Sequence, residues 1–314
     1  MRGMYRGRLW IEQDKLRQLI GVLCVNAATL VWASNMVLGR MLKDSIGPVS
    51  ISAARFLIAA AIFYVILRQQ PVEERRIGND FWKLTAMAVT GIVLFSPVLY
   101  LGLRYTTAVN STIINGLAPL LTGLLSVWLI QEPMSGRQAG GAMLALAGVL
   151  LLISGGSLSF WQSASFNIGD LIVLGAVAIW ALYSVISSKV MRSRTSLATT
   201  AISTFIGLPV LWVFALWELQ HFPVTIDLKL VLVTLYLGIV PAAGGFYAWN
   251  AGVRRLGTGG AMVFYNTLPL YGAALGYLFL GEPIGLHHAA GGLLIAAGGI
   301  WAASKGRVVK RENG

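Results

Sequence analysis

Apolar residues run for about twenty positions at a time along this chain, and polar residues gather in the short breaks between runs. That is the length a helix needs to cross the hydrocarbon of a bilayer. Ten runs qualify, at 18–40, 48–67, 82–103, 107–130, 136–154, 168–188, 196–217, 229–252, 257–280 and 285–303. The pattern predicts an all-α membrane protein with ten transmembrane helices. The longest solvated break runs from Arg68 to Phe81 and carries Pro71, Glu73, Glu74, Arg75 and Arg76. Gly155 to Phe166 holds no charge, is rich in Ser and reads as an exposed linker between halves.

The chain also repeats itself. Gln131-Glu132-Pro133 falls on Gly281-Glu282-Pro283 at an offset of 150. The same offset puts Pro119 on Pro269, Gly102 and Arg104 on Gly252 and Arg254, and Gly141 and Gly148 on Gly291 and Gly298. At an offset of 148, Val31-Trp32-Ala33 falls on Ile179-Trp180-Ala181. Helices 1–5 therefore match helices 6–10. Five is odd, so the second copy enters the membrane from the opposite side. The fold expected is a 5+5 inverted-topology repeat around a central cavity, the architecture that builds alternating access. Its parts are an N-terminal segment 1–17, a first repeat 18–154, an external linker 155–167, a second repeat 168–303 and a basic tail 304–314.

Composition fits. Apolar residues make up 56% and charged residues 11%, against about 25% charged in an ordinary soluble chain. The 36 Gly residues suit close helix approach in lipid. Lys and Arg set the orientation. With the N-terminus inside, 19 lie in inside segments, 4 in outside segments, and Arg55 lies within a span. Both termini are therefore expected in the cytoplasm. The net charge of +12 does not form a stripe or interleave with aromatics, so nucleic acid is not an expected partner. No cleavable leader is expected before the first run. The single cysteine, Cys24, excludes an internal disulfide and reads as an inert buried thiol.

Candidate chemistry follows from depth. Glu132 and Glu282 end helices ahead of prolines and read as structural; no carboxylate falls at a midplane, so a carboxylate proton relay is not supported. Arg55 has two readings. The preferred one is a guanidinium snorkelling to the outer interface, and the other is a carboxylate clamp. Cavity candidates are the midspan aromatics and amides Trp32, Asn35, Tyr100, Trp180, Tyr183, Tyr247, Asn250 and Tyr265, with further polar groups such as Asn26, Asn110, Asn115 and Asn266. Trp10, Trp82, Trp161 and Trp217 are expected in the interfacial belt. Pro119, Pro241, Gly244 and Pro269 are hinge candidates, because each breaks or weakens a helix within a span. No catalytic, metal or cofactor motif is present, and His287-His288 points two ways on a helix.

The two halves, Trp32 and Trp180, Arg55-Phe56, Pro119 and Pro269, and the paired Glu-Pro turns resemble the EamA family of the drug/metabolite transporter superfamily. Among its branches the chain is most similar to the YddG-type amino-acid exporters of bacterial inner membranes, which implies that location for this chain. The resemblance implies a central cavity enclosed by both halves and efflux of amino acids or related metabolites. The function expected is a secondary transporter for amino acids, including aromatic and apolar ones. The alternatives are an exporter of some other drug or metabolite, a membrane-embedded or lipid-modifying enzyme, and a channel or sensor. Partners are a small-molecule substrate and the bilayer. Oligomeric state stays open, a monomer being allowed.

Overall fold

The computed structural model describes residues 2–131, 136–157, 167–191, 193–222, 224–265 and 267–303. Regular structure among them is helical throughout. The first half comprises α1 (Arg2–Met41), α2 (Pro48–Arg68), the short α3 (Val72–Arg75), α4 (Phe81–Met87), α5 (Phe95–Tyr105), α6 (Ala108–Asn115), α7 (Ala118–Ile130) and α8 (Gly136–Ile153). The second comprises α9 (Ile168–Val190), α10 (Ser196–His221), α11 (Leu228–Leu237), α12 (Gly245–Tyr265), α13 (Leu268–Leu280) and α14 (Leu286–Ala303).

Seven helical stretches among the described residues are long and apolar enough to cross a membrane: Lys15–Met41, Pro48–Arg68, Val72–Tyr105, Ala108–Leu129, Ile168–Val190, Ser196–His221 and Leu228–Leu256. The expected runs 136–154, 257–280 and 285–303 are carried by α8, by the end of α12 with α13, and by α14. At 13 residues α13 is about 20 Å long, short of the bilayer core.

Two interruptions are wider than sequence periodicity reveals. Ala88–Leu94 joins α4 to α5 as a π-helix, and Gly238–Gly244 joins α11 to α12 in the same way. The two segments lie 150 residues apart. Each inserts an extra residue into its turn and shifts the face that follows. Pro119 and Pro269 stand in the first turns of α7 and α13, where a missing N–H costs nothing. A turn is expected after residue 252, whereas α12 keeps helical hydrogen bonding to Tyr265. Trp249 and Tyr265 nevertheless meet with ring centroids 5.8 Å apart. A straight helix would separate them by about 24 Å, so the axis of α12 bends sharply between them.

Three helix N-termini are closed by carboxylates from distant elements. Glu218 accepts from Val49 N and Ser50 N at 3.1 and 2.7 Å, at the start of α2. Glu74 accepts from Thr195 N at 3.0 Å, ahead of α10. Glu282 accepts from Ala108 N and Val109 N, both at 2.9 Å, at the start of α6. Orphan N–H groups and the positive end of the helix dipole favour such partners. Helices α8 and α14 pack along their length through small residues. A Cβ on Gly148 would sit 2.6 Å from Gly291 O, and one on Gly291 would sit 2.7 Å from Gly148 O, so only glycine lets these backbones approach.

Large apolar side chains cover the outside. Trp82, at 76% exposed, and Trp217 are bare, as expected of belt residues, and so is Trp128. In this multi-pass membrane protein that surface faces lipid. Trp161 and the side chain of Trp10 lie outside the described residues, as do Glu132 and most of the 155–167 linker.

Candidate functional site: a polar-aromatic cavity between the halves

A cavity opens where α1, α2, α5, α6 and α9 meet the second π-segment and the flanks of α12 and α13. About 60 Å³ of it is open to the centre of a water-sized sphere, room for a few waters or a small head group. Seven aromatic rings stand in its wall. Trp180 stacks on Tyr183 at 5.0 Å and packs on Phe95 at 4.8 Å. Trp32 meets Phe246 at 5.8 Å and Tyr265 at 6.2 Å. The Trp32 Nε1–H donates to Pro241 O at 3.2 Å, a carbonyl of the second π-segment. Gly91, in the first π-segment, leaves room for the Tyr183 ring, which lies 2.5 Å from where a Cβ would stand.

Polar groups enter this wall at two places. Asn35 Oδ1 accepts from Arg55 Nη1 at 2.6 Å and from the Tyr100 hydroxyl at 2.7 Å. The Arg55 guanidinium lies 4.6 Å from the Phe56 ring centroid and 5.4 Å from that of Tyr100. Asn115 Oδ1 accepts from the Tyr265 hydroxyl at 3.3 Å. Behind the wall, Thr29 pairs with Thr267 at 3.0 Å and the Tyr271 hydroxyl donates to Asn26 Oδ1 at 3.0 Å, binding α1 to the start of α13.

Of the eight cavity candidates, the structure brings Trp32, Asn35, Trp180, Tyr183 and Tyr265 to the cavity. Tyr100 stands one layer back and holds Asn35 from behind. Tyr247 is elsewhere: it is 58% exposed on the outer surface, and its neighbour Phe246 lines the cavity instead. Asn250 is half-buried and absent from the lining. Asn266 lies outside the described residues. Arg55 does not snorkel. It is 7% exposed, and its guanidinium faces inward. All four hinge candidates sit at helix interruptions, Pro241 and Gly244 in the second π-segment and Pro119 and Pro269 just after breaks.

Neither end of the bundle resembles this cavity. Near the start of α6, Asp170 accepts from the Thr106 hydroxyl and from Asn110 Nδ2 at 3.2 Å, and Asn110 Oδ1 pairs with His288 Nε2 at 3.0 Å. At the opposite end Asp80 bridges Lys83 and Arg194 at 3.0 and 3.2 Å. Both are polar ties between helices. Among the described residues no group of three His, Cys, Asp or Glu side chains could hold a metal ion.

This chain matches the EamA-like transporter family twice, over residues 19–154 and 167–303. The chain belongs to the EamA-like transporter family. The two matches cover the two halves that share the cavity. An uncharacterised transporter of Bacillus subtilis, YyaM, is 28% identical over 269 residues, 84% of this chain and 87% of its own. A probable terminal-alkyne amino-acid exporter of Streptantibioticus cattleyicolor is 24% identical over 269 residues, 85% of this chain and 87% of its own. A solved crystal structure shares the fold with a TM-score of 0.64 at 21% identity, covering 90% of this chain and 95% of the other. This EamA-like protein is thus a transporter of the drug/metabolite type.

Proposed function

We propose that the protein exports amino acids, including aromatic and apolar ones, or related small metabolites, by alternating access through the central cavity. The observation that carries this reading is the pairing across the cavity. Trp32 and Trp180, Asn35 and Tyr183, and Asn115 and Tyr265 are repeat equivalents at offsets of 148 and 150, and all six line one space. A two-fold axis through that space produces such pairing. The Gly contacts between α8 and α14 support the same axis. Gly148 meets Gly291, and Gly298 meets Gly141; exchanging equivalents turns one contact into the other. In this reading ten helices form two inverted repeats, 18–154 and 168–303, with both termini cytoplasmic and 155–167 outside. The π-segments and the breaks before Pro119 and Pro269 are the places where each half bends.

Rings with amides and hydroxyls suit a zwitterion with an apolar body. The similarity to an amino-acid exporter supports that substrate class. The test is uptake of a labelled amino-acid panel into proteoliposomes, with and without a pH gradient. Saturable movement of apolar or aromatic members, broad in specificity and weak in affinity, is expected. No movement of any member under either condition would remove the assignment.

A further inference from the structure

The Arg55 guanidinium is a buried cation without a counter-charge. Among the described residues no carboxylate pairs with it. An ion so placed within a membrane span is expensive and marks function more often than packing. Its surroundings hold it rather than neutralise it. Asn35 Oδ1 accepts from Nη1, and the rings of Phe56 and Tyr100 flank the cation. The Nε–H is buried and has no hydrogen-bond partner among the described residues. Asn115 Nδ2, on α6, is likewise buried and unpartnered, and Asn115 is 2% exposed. Both side chains line the cavity. Two donors, one of them cationic, are thus left unsatisfied in the same largely apolar space, where an unmade hydrogen bond is costly. A planar guanidinium with its Nε edge free is shaped for an oxyanion, above all a carboxylate.

We propose that Arg55 is the carboxylate-recognising residue of the cavity, with Asn115 as a second donor, so that the solutes carried are organic acids or amino acids rather than amines. This rests on reading the cavity as the transport site. Tyr100 is a positioning residue: it reaches the solute only through Asn35 and the guanidinium.

The probes are L-phenylalanine, 3-phenylpropionate, 2-phenylethylamine and L-phenylalaninamide, with the matching leucine set of L-leucine, 4-methylpentanoate, 3-methylbutylamine and L-leucinamide. Binding to the purified full chain is followed by calorimetry. Within at least one set, the members bearing a carboxylate should bind at least about ten-fold more tightly than the amine and the amide, the discrimination expected of a charge-assisted pair. In Arg55→Gln that preference should vanish, the acids falling to the level of the amines. Arg55→Lys should keep the preference while weakening it. Tyr100→Phe should reduce the affinity of the acids alone. Amines and amides binding as well as acids to the wild type overturn the proposal, even if no variant folds. So does a preference that survives in folded Arg55→Gln, or the binding of no probe. Uptake separates this proposal from the transport reading. Acids that bind but do not cross proteoliposomes remove the transporter and leave the site. Acids and amines that cross equally well do the reverse.

Discussion

The two halves of the molecule build the same frame and fill it differently. In the first, Asn35, Arg55 and Tyr100 form one hydrogen-bonded node. At the offset of 148 that also relates the N-caps Gly47 and Thr195, Asn35 and Arg55 fall on Tyr183 and Ser203, and at 150 Tyr100 falls on Asn250. Ser203 turns its hydroxyl onto Thr200 O at 3.0 Å within its own helix, and Asn250 stands off the cavity. The Trp32 and Trp180 rings are shared between halves; charge is not. In the proposed alternating-access reading, symmetry accounts for a cavity that both halves open. The asymmetric node is where this chain departs from its own repeat, and the proposal that Arg55 recognises a carboxylate places selectivity there.

Breaking the asymmetry should have the largest effect. Arg55→Gln should lower the initial rate of amino-acid uptake in proteoliposomes at least about ten-fold, whereas Ser203→Ala should stay within about two-fold. Equal losses in the two variants would mean that burial, not charge, matters. The shared wall should respond evenly. Trp32→Ala and Trp180→Ala each remove one ring, at about 1 kcal/mol, so apparent affinity should fall several-fold in both, and Trp82→Ala on the lipid face should leave it unchanged. A large loss in Trp82→Ala with none in the other two would displace the site from the cavity.

The smallest expected effect concerns the helix ends. Both ends also carry a threonine cap, the Thr107 hydroxyl accepting from Asn110 N at α6 and the Thr195 hydroxyl from Ala198 N at α10, but Glu282 closes α6 from a buried position whereas Glu74 is only half-buried. Glu282→Ala should destabilise the purified protein by about 1 kcal/mol in thermal unfolding, and Glu74→Ala by less. Transport of the folded Glu282→Gln variant should persist, because this carboxylate is bound to backbone N–H groups rather than to the cavity. A folded Glu282→Gln protein that binds substrate but no longer responds to a pH gradient would count against that.

Much of the fold is legible in the sequence, because a run of twenty apolar residues and a Glu-Pro repeat at a fixed offset depend on length and identity alone. The facing of individual side chains is less so. Neighbours on a helix point about 100° apart, and depth within a span does not say which way a residue looks. Tyr247 and Phe246 show this. The π-segment just before them adds a residue to its turn, and the phase that follows brings Phe246, not Tyr247, to the cavity. Arg55 shows it for charge. Its distance from the outer surface suggests snorkelling, and only the packing of α1 and α5 against α2 reveals that Asn35 and Tyr100 hold it inward. One signal for Asn115 is present in the sequence: it lies 150 residues before Tyr265, the residue whose hydroxyl it binds.

Alternating access requires that the cavity be reached in turn from the two faces of the membrane. Ala242 lines it and is buried, and Cys24 can be removed by Cys24→Ser to leave one thiol at Ala242→Cys. Right-side-out and inside-out vesicles are then treated with a membrane-impermeant thiol reagent, with and without saturating L-phenylalanine. Labelling from both faces, slowed from both by the amino acid, is the predicted result. A thiol that reacts from one face only, or whose labelling the amino acid leaves unchanged, would show that the cavity is not the path.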